Sequence, residues 1–167
     1  VYGLGASLDT KEEDFCDPTG FYSITKRAAE QLIICYCRTF GMQYRIFRMT
    51  NIIGPGDKGV SPKKNALQHM MNLLSKGEPL VLYDGGSNVR DFMPVKDACR
   101  AIKLCIEKAP VNEIINITNK QPITIGEVIN YSKNKMQSSA TISSIEAPDF
   151  HKIVQSKNVC LNNDRLL

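Results

Sequence analysis

The sequence predicts an α/β fold, and three observations carry that expectation. A helical apolar pattern over 21–40 closes at Gly41 and is followed within three residues by a strand-like run, Tyr44–Met49. Short apolar runs at 80–83 and 114–117 then alternate with helical patterns around 67–74, 98–105 and 125–136. No repeat, low-complexity run or heptad is present, which excludes solenoids and coiled coils.

The bulk properties narrow the class. With 43% hydrophobic and 23% charged residues, the 167-residue chain has the balance of one globular core. No apolar run is long enough to span a bilayer and no secretory leader is visible, so no membrane partner and a cytoplasmic location are expected. The net charge of +4 suits an anionic small molecule and is too weak to support nucleic-acid binding. Six cysteines without a CxxC motif read as reduced thiols, with no metal site expected.

Taken in order, residues 1–20 form a polar, acidic stretch ending in Pro18-Thr19-Gly20, which reads as a connection. In the 21–40 helix, Ala29, Ile33, Cys37 and Phe40 continue the face of Tyr22 and Lys26, while Ala28, Leu32 and Tyr36 widen it. After the strand, Thr50 to Gly59 is a loop containing a literal GxGxxG. Pro55 stiffens its first turn and Val60-Ser61-Pro62 separates it from the next helix, so it does not read as a dinucleotide cradle.

Leu80–Tyr83, the turn Asp84-Gly85-Gly86-Ser87-Asn88 and the extended Val89–Met93 together look like a hairpin. Pro94 ends it, and Asp97 is placed to cap or charge the helix bearing Ala98, Ala101, Ile102 and Cys105. Thr124 precedes a helix with Ile125, Val128, Ile129 and Met136, residues 141–145 read as a strand, and 148–167 are left without an assignment.

Chemistry is concentrated in the 19–30 stretch. Tyr22 and Lys26 lie one helical turn apart, close enough for the ammonium to favour the phenolate, and a free phenol titrates at about 10. A cation there lets tyrosine act as a base near neutral pH. A second pair of the same spacing, Tyr131 and Lys135, lacks both a preceding Pro-Thr-Gly loop and a succeeding strand of the Tyr44–Met49 kind. Taken alone, Asn51 reads as a turn asparagine and Arg90 as a surface arginine. Asn65 reads as a helix-start cap and Tyr83 as a strand-end aromatic; Asp91 and Asp97 read as structural, and neither His69 nor His151 has a motif partner.

Three segments in order, Tyr22-Ser23-Ile24-Thr25-Lys26, Arg48-Met49-Thr50-Asn51-Ile52-Ile53-Gly54-Pro55 and Arg90-Asp91-Phe92-Met93-Pro94-Val95-Lys96-Asp97, resemble the extended short-chain dehydrogenase/reductase family. The likeness is to its nucleotide-sugar epimerases and dehydratases, runs from Val1 to about Met136, and includes Val1-Tyr2-Gly3. It implies the C-terminal part of a Rossmann-type fold with a small mixed substrate-binding lobe. Residues 1–55 would be Rossmann elements and 56–167 mainly the lobe, with about 90–118 returning to the Rossmann sheet.

By the same resemblance the cofactor is NAD and the substrate a nucleotide-diphosphate sugar, processed through a keto-sugar, with epimerase slightly ahead of dehydratase. Tyr22 would be the catalytic base, and Lys26 would lower its pKa and hold the nicotinamide ribose. Asn51 and Arg90 would contact the substrate diphosphate, Asn65 and Tyr83 would lie near the nucleotide, and the Tyr22 helix would form a homodimer. The family's glycine-rich NAD loop and its catalytic serine or threonine would lie upstream of Val1, so the 167 residues alone are expected to bind NAD poorly and to be inactive. A reductase of the same superfamily and a non-catalytic nucleotide-sugar binding fragment are the alternatives.

Overall fold

A computed structural model gives the fold and describes residues 1–56, 66–154 and 158–166. In chain order the elements are α1 (Phe21–Phe40), β1 (Arg45–Met49), β2 (Asn51–Ile53), α2 (Ala66–Lys76), β3 (Leu80–Tyr83), a 3-10 turn (Asp84–Gly86) and β4 (Val89–Arg90). Next come β5 (Phe92–Pro94), α3 (Val95–Lys108), β6 (Glu113–Ile117), β7 (Ile123–Thr124), α4 (Ile125–Met136), β8 (Ile142–Ile145) and α5 (Asp149–Val154). They divide between two compact units, one of Val1–Ile53, Arg90–Pro122 and Asp149–Leu167, the other of Gly54–Val89 and Ile123–Pro148. The tail from 149 onward thus folds with the first unit.

In the first unit β1 runs parallel to β6, with Arg48 opposite Asn116, and β2 parallel to β5, with Asn51 opposite Phe92. Helix α3 connects β5 to β6. Its buried stripe of Ala98, Ala101 and Cys105 packs with Met93, Ile115 and Ile117, flanked by Phe47 and Ile52. Pro94 stands at the N-cap of α3 and Asp97 lies in its first turn, where a carboxylate meets the positive end of the helix dipole. The strand at 51–53 falls inside the stretch expected to be loop, because its partner, β5, lies some forty residues away in sequence.

The opening segment is more than the connection its composition predicts. The Tyr2 hydroxyl donates to Asn116 Oδ1 at 2.8 Å, the Asn116 N–H donates to Glu12 Oε1 at 2.8 Å, and Asn116 Nδ2 donates to the Thr10 carbonyl at 3.0 Å. Tyr2, Thr10, Glu12 and Asn116 are all buried. The far end of the chain joins them: Thr10 N–H donates to Cys160 O at 3.0 Å and Asn162 N–H to Thr10 O at 2.8 Å. Gly3 (φ +59°) closes the segment, since an added Cβ would meet the Asp17 carbonyl oxygen at 1.7 Å.

The second unit packs α2 and α4 on one face of a two-stranded parallel sheet, β3 with β8, Leu80 opposite Ile142 and Tyr83 opposite Ile145. Leu74, Leu80, Leu82, Ile129 and Ala140 form its core. The hairpin expected over 80–93 is therefore not formed: β3 takes its partner from about sixty residues downstream. Positive φ at Asp84, Gly85 and Gly86 turns the chain away after Tyr83. Gly86 then lies so close to the Gly126 backbone that a Cβ would meet its nitrogen at 2.6 Å. Thr124 caps α4, its hydroxyl accepting from the Glu127 N–H at 3.1 Å while Glu127 Oε2 accepts from the Thr124 N–H at 2.8 Å.

Candidate functional site

Within the first unit α1 does not turn inward the apolar face that continues from Tyr22 and Lys26. Its packed residues are Ser23, Arg27, Glu30, Ile34 and Cys37, spaced by three and four, and of these Glu30 and Cys37 are buried. Tyr22, Leu32, Ile33, Tyr36 and Phe40 are exposed instead. The reason is an ion pair that apolar periodicity does not register. Strand β1 turns Ile46 and Arg48 inward, and the buried Arg48 needs an acid. It finds Glu30: Nε donates to Oε1 at 2.9 Å and Nη2 to Oε2 at 2.8 Å, while Nη1 donates to the Glu12 carbonyl at 3.1 Å. Arg27 adds a bond to Glu30 Oε2 at 2.8 Å, and the Arg48 guanidinium lies 4.6 Å from the Tyr2 ring centroid.

Burial alone would push the Glu30 carboxyl up, but the hydrogen bonds and charges of Arg48 and Arg27 outweigh it and hold the group below its usual 4.5. Burial likewise pushes the Tyr2 phenol up, against the pull of Arg48.

Tyr22 is 76% exposed, with Lys26 Nζ 5.5 Å from its ring centroid. Among the described residues neither the hydroxyl of Tyr22 nor the ammonium of Lys26 makes a hydrogen bond or ion pair, so both polar tips can take a ligand. That suits the ribose and nicotinamide end of a dinucleotide, which presents hydroxyls to donors of this kind. Lys135 Nζ lies 5.8 Å from the Tyr131 ring, so the second pair has the same local geometry and differs only in its surroundings.

Asn51 reaches the main chain of Asp91, the residue that follows Arg90. Asp91 is fully buried, and its side chain accepts from the Thr118 hydroxyl, from Asn119 N–H at 3.0 Å and from Gln121 N–H at 3.1 Å. Its carbonyl accepts from Thr50 Oγ1 at 2.9 Å and Asn51 Nδ2 at 3.1 Å. Asn51 is thus an exposed strand-start residue, not a turn residue, and one of its amide hydrogens is already used. Arg90 is half-buried, and burial pushes its pKa down. A guanidinium remains charged all the same.

Tyr83 ends β3 in the second unit and is partly exposed; Asn65 and the last residues of the GxGxxG stretch lie outside the described residues. Glu30 is the residue that apolar periodicity passed over. Its signal was the arginine on the inward parity of a strand.

The chain matches the model of the NAD dependent epimerase/dehydratase family over residues 1–118. The chain belongs to that family. Its fold is accordingly α/β and Rossmann-type, and the family's cofactor is NAD. A trifunctional UDP-glucose 4,6-dehydratase/UDP-4-keto-6-deoxy-D-glucose 3,5-epimerase/UDP-4-keto-L-rhamnose-reductase of Arabidopsis thaliana is 32% identical over 133 residues, 78% of this chain and 19% of the relative. A probable dTDP-glucose 4,6-dehydratase of Sinorhizobium fredii is 30% identical over 78% of this chain and 36% of its own length. Among solved structures, dTDP-glucose 4,6-dehydratase from Bacillus anthracis in complex with NAD is 27% identical, with TM-score 0.82 over 98% of this chain and 50% of that one. The chain thus spans about half the length of that structure and less of the two relatives. No helix among the described residues is long and apolar enough to cross a membrane.

Because the Glu30 carboxyl is held below 4.5, its contribution to stability is complete above that pH and is lost as the pH falls through the lowered folded value. In denaturant unfolding of the intact protein, the stability difference between wild type and Glu30→Gln is expected to be largest near pH 7 and to shrink below about pH 4. A difference that is flat with pH would contradict this.

Proposed function

We propose that the intact protein uses NAD to convert a nucleotide-diphosphate sugar through a keto-sugar intermediate, with Tyr22 as the base and Lys26 as the cation that tunes it. The single observation carrying this reading is the exposed Tyr22–Lys26 pair, whose polar tips are unclaimed among the described residues, on a chain of this family. Bound NAD would accept the hydride from the sugar carbon. Tyr22 takes the hydroxyl proton from that carbon, and Lys26 offsets the phenolate charge and donates to a ribose hydroxyl. Asn51, with its remaining amide hydrogen, and Arg90, with its planar fork, bind the diphosphate. Tyr83 and Asn65 are assigned to the nucleotide on sequence grounds alone.

The first unit then contributes mainly dinucleotide-side elements and the second mainly the sugar-nucleotide lobe. Within the reaction class, loss of water has the support of the dehydratase activity in the names of both relatives quoted above; inversion has that of the epimerase activity in the first. The free cysteines support a reducing compartment, the cytoplasm. The exposed apolar side chains of α1, Leu32, Ile33, Tyr36 and Phe40, support a homodimer through that helix.

Tyr22→Phe in the intact protein is expected to abolish turnover of UDP-glucose or dTDP-glucose while leaving nucleotide-sugar binding in place; near-normal turnover would remove Tyr22 from the mechanism. The product separates the two outcomes, a 4-keto-6-deoxy sugar for the dehydratase and an epimer for the epimerase. Arg90→Ala is expected to weaken nucleotide-sugar binding by about 1.5–3 kcal/mol, the worth of one charge-assisted hydrogen bond, and unchanged affinity by calorimetry returns it to a structural role. Tyr36→Lys is expected to shift sedimentation from dimer to monomer, and a wild type that sediments as a monomer would exclude the α1 interface.

A further inference from the structure

Within the first unit the twenty-residue α1 buries only Glu30 and Cys37, so its apolar packing there does little to fix its rotation. Rotation matters here, because Lys26 and Tyr22 lie about one and two turns before Glu30 on the same helix. A roll of about 10° moves a group at the 5–6 Å side-chain radius by about 1 Å, and a displacement of that size costs on the order of a hundredfold in rate. The first unit offers one contact that fixes the roll of α1 more closely than the packing of Cys37 does.

Among the described residues, only one side chain outside the helix grips Glu30, the buried carboxylate of α1. Arg48 holds it by two parallel bonds of 2.9 and 2.8 Å, and a two-point fork fixes an angle as well as a distance. Arg27 binds the same carboxylate, but it rides on α1 and cannot oppose the helix's own roll. The fork is itself immobilised. Arg48 sits on the inward face of β1, 6% exposed, with its third nitrogen on the Glu12 carbonyl and its plane against the Tyr2 ring.

We infer that Arg48 is a positioning residue for the reaction: its fork onto Glu30 indexes the roll of α1 against β1 and so places Tyr22 and Lys26. It touches neither substrate nor cofactor in this role. The inference rests on the Tyr22–Lys26 reading above for its functional meaning, but the geometry it asserts can be read without turnover.

The decisive variant is Arg48→Lys in the intact protein, which keeps the positive charge and removes the fork. With ¹³C-labelled tyrosine, the ¹³Cζ resonance of Tyr22, assigned by its loss in Tyr22→Phe, is expected to move or broaden. Turnover of whichever of UDP-glucose and dTDP-glucose is accepted is expected to fall about 10- to 100-fold in kcat with KM within about twofold. A folded Arg48→Lys with an unmoved Tyr22 resonance overturns the inference, as does kcat within about twofold of wild type.

Should the single variant fail to fold, Glu30→Met/Arg48→Met leaves no uncompensated charge between the two positions and restores packing without the fork. That double variant is expected to stay slow and to keep the shifted resonance; full kcat or a wild-type resonance in it overturns the inference. A wild type that turns over neither sugar nucleotide would overturn the functional reading, and the resonance still decides the role of Arg48.

Discussion

The contact between Arg48 and Glu30 is the constraint on which the first unit depends. Taking a carboxylate and a guanidinium out of water costs several kcal/mol each, and a single ion pair seldom repays that. Here the carboxylate receives three charge-assisted bonds, and the guanidinium has in addition the Glu12 carbonyl and the Tyr2 ring. Strand, helix and opening segment are joined at one point. The arrangement explains why residues 1–18, acidic and polar as they are, lie ordered against β1 and β6.

Asp91 plays the corresponding part at the start of the β2–β5 pair. A buried carboxylate with no cation against it among the described residues is tolerable because a hydroxyl and two backbone N–H groups converge on it. Its main-chain carbonyl takes Thr50 and Asn51 as well. In consequence the residue before it, Arg90, and the residue that reaches it, Asn51, are held within one small piece of backbone. The aspartate that ties Asn51 to the residue after Arg90 binds no ligand in this reading.

The chain leaves the first unit at Gly54, returns at Arg90, leaves again at Ile123 and returns at Asp149. Each unit nevertheless has its own apolar centre, so the exchange costs neither of them its core. The repeated crossing also means that the principal strand pairs join distant stretches of sequence, β1 with β6 and β3 with β8. Non-local partners of this kind leave no trace in a local pattern of residues.

By itself the sequence determined the features that local chemistry dictates. Helix α1 ends at Gly41, as a left-handed C-cap with φ +66° requires, α4 begins at the Thr124–Glu127 capping box, and the apolar stripe of α3 is legible from its spacing. The one-turn separation of Tyr22 and Lys26 and the family membership were legible in the same way, since both depend on order and spacing. The tertiary structure alone decided which way α1 faces, which strand receives β3, and why the opening segment is fixed. Each of those depends on a partner distant in the chain: Arg48 for Glu30, Ile142–Ile145 for Leu80–Tyr83, Asn116 for Tyr2 and Glu12. Apolar periodicity reports how much hydrocarbon a face carries, and at Glu30 a buried ion pair, which periodicity cannot register, set the face instead.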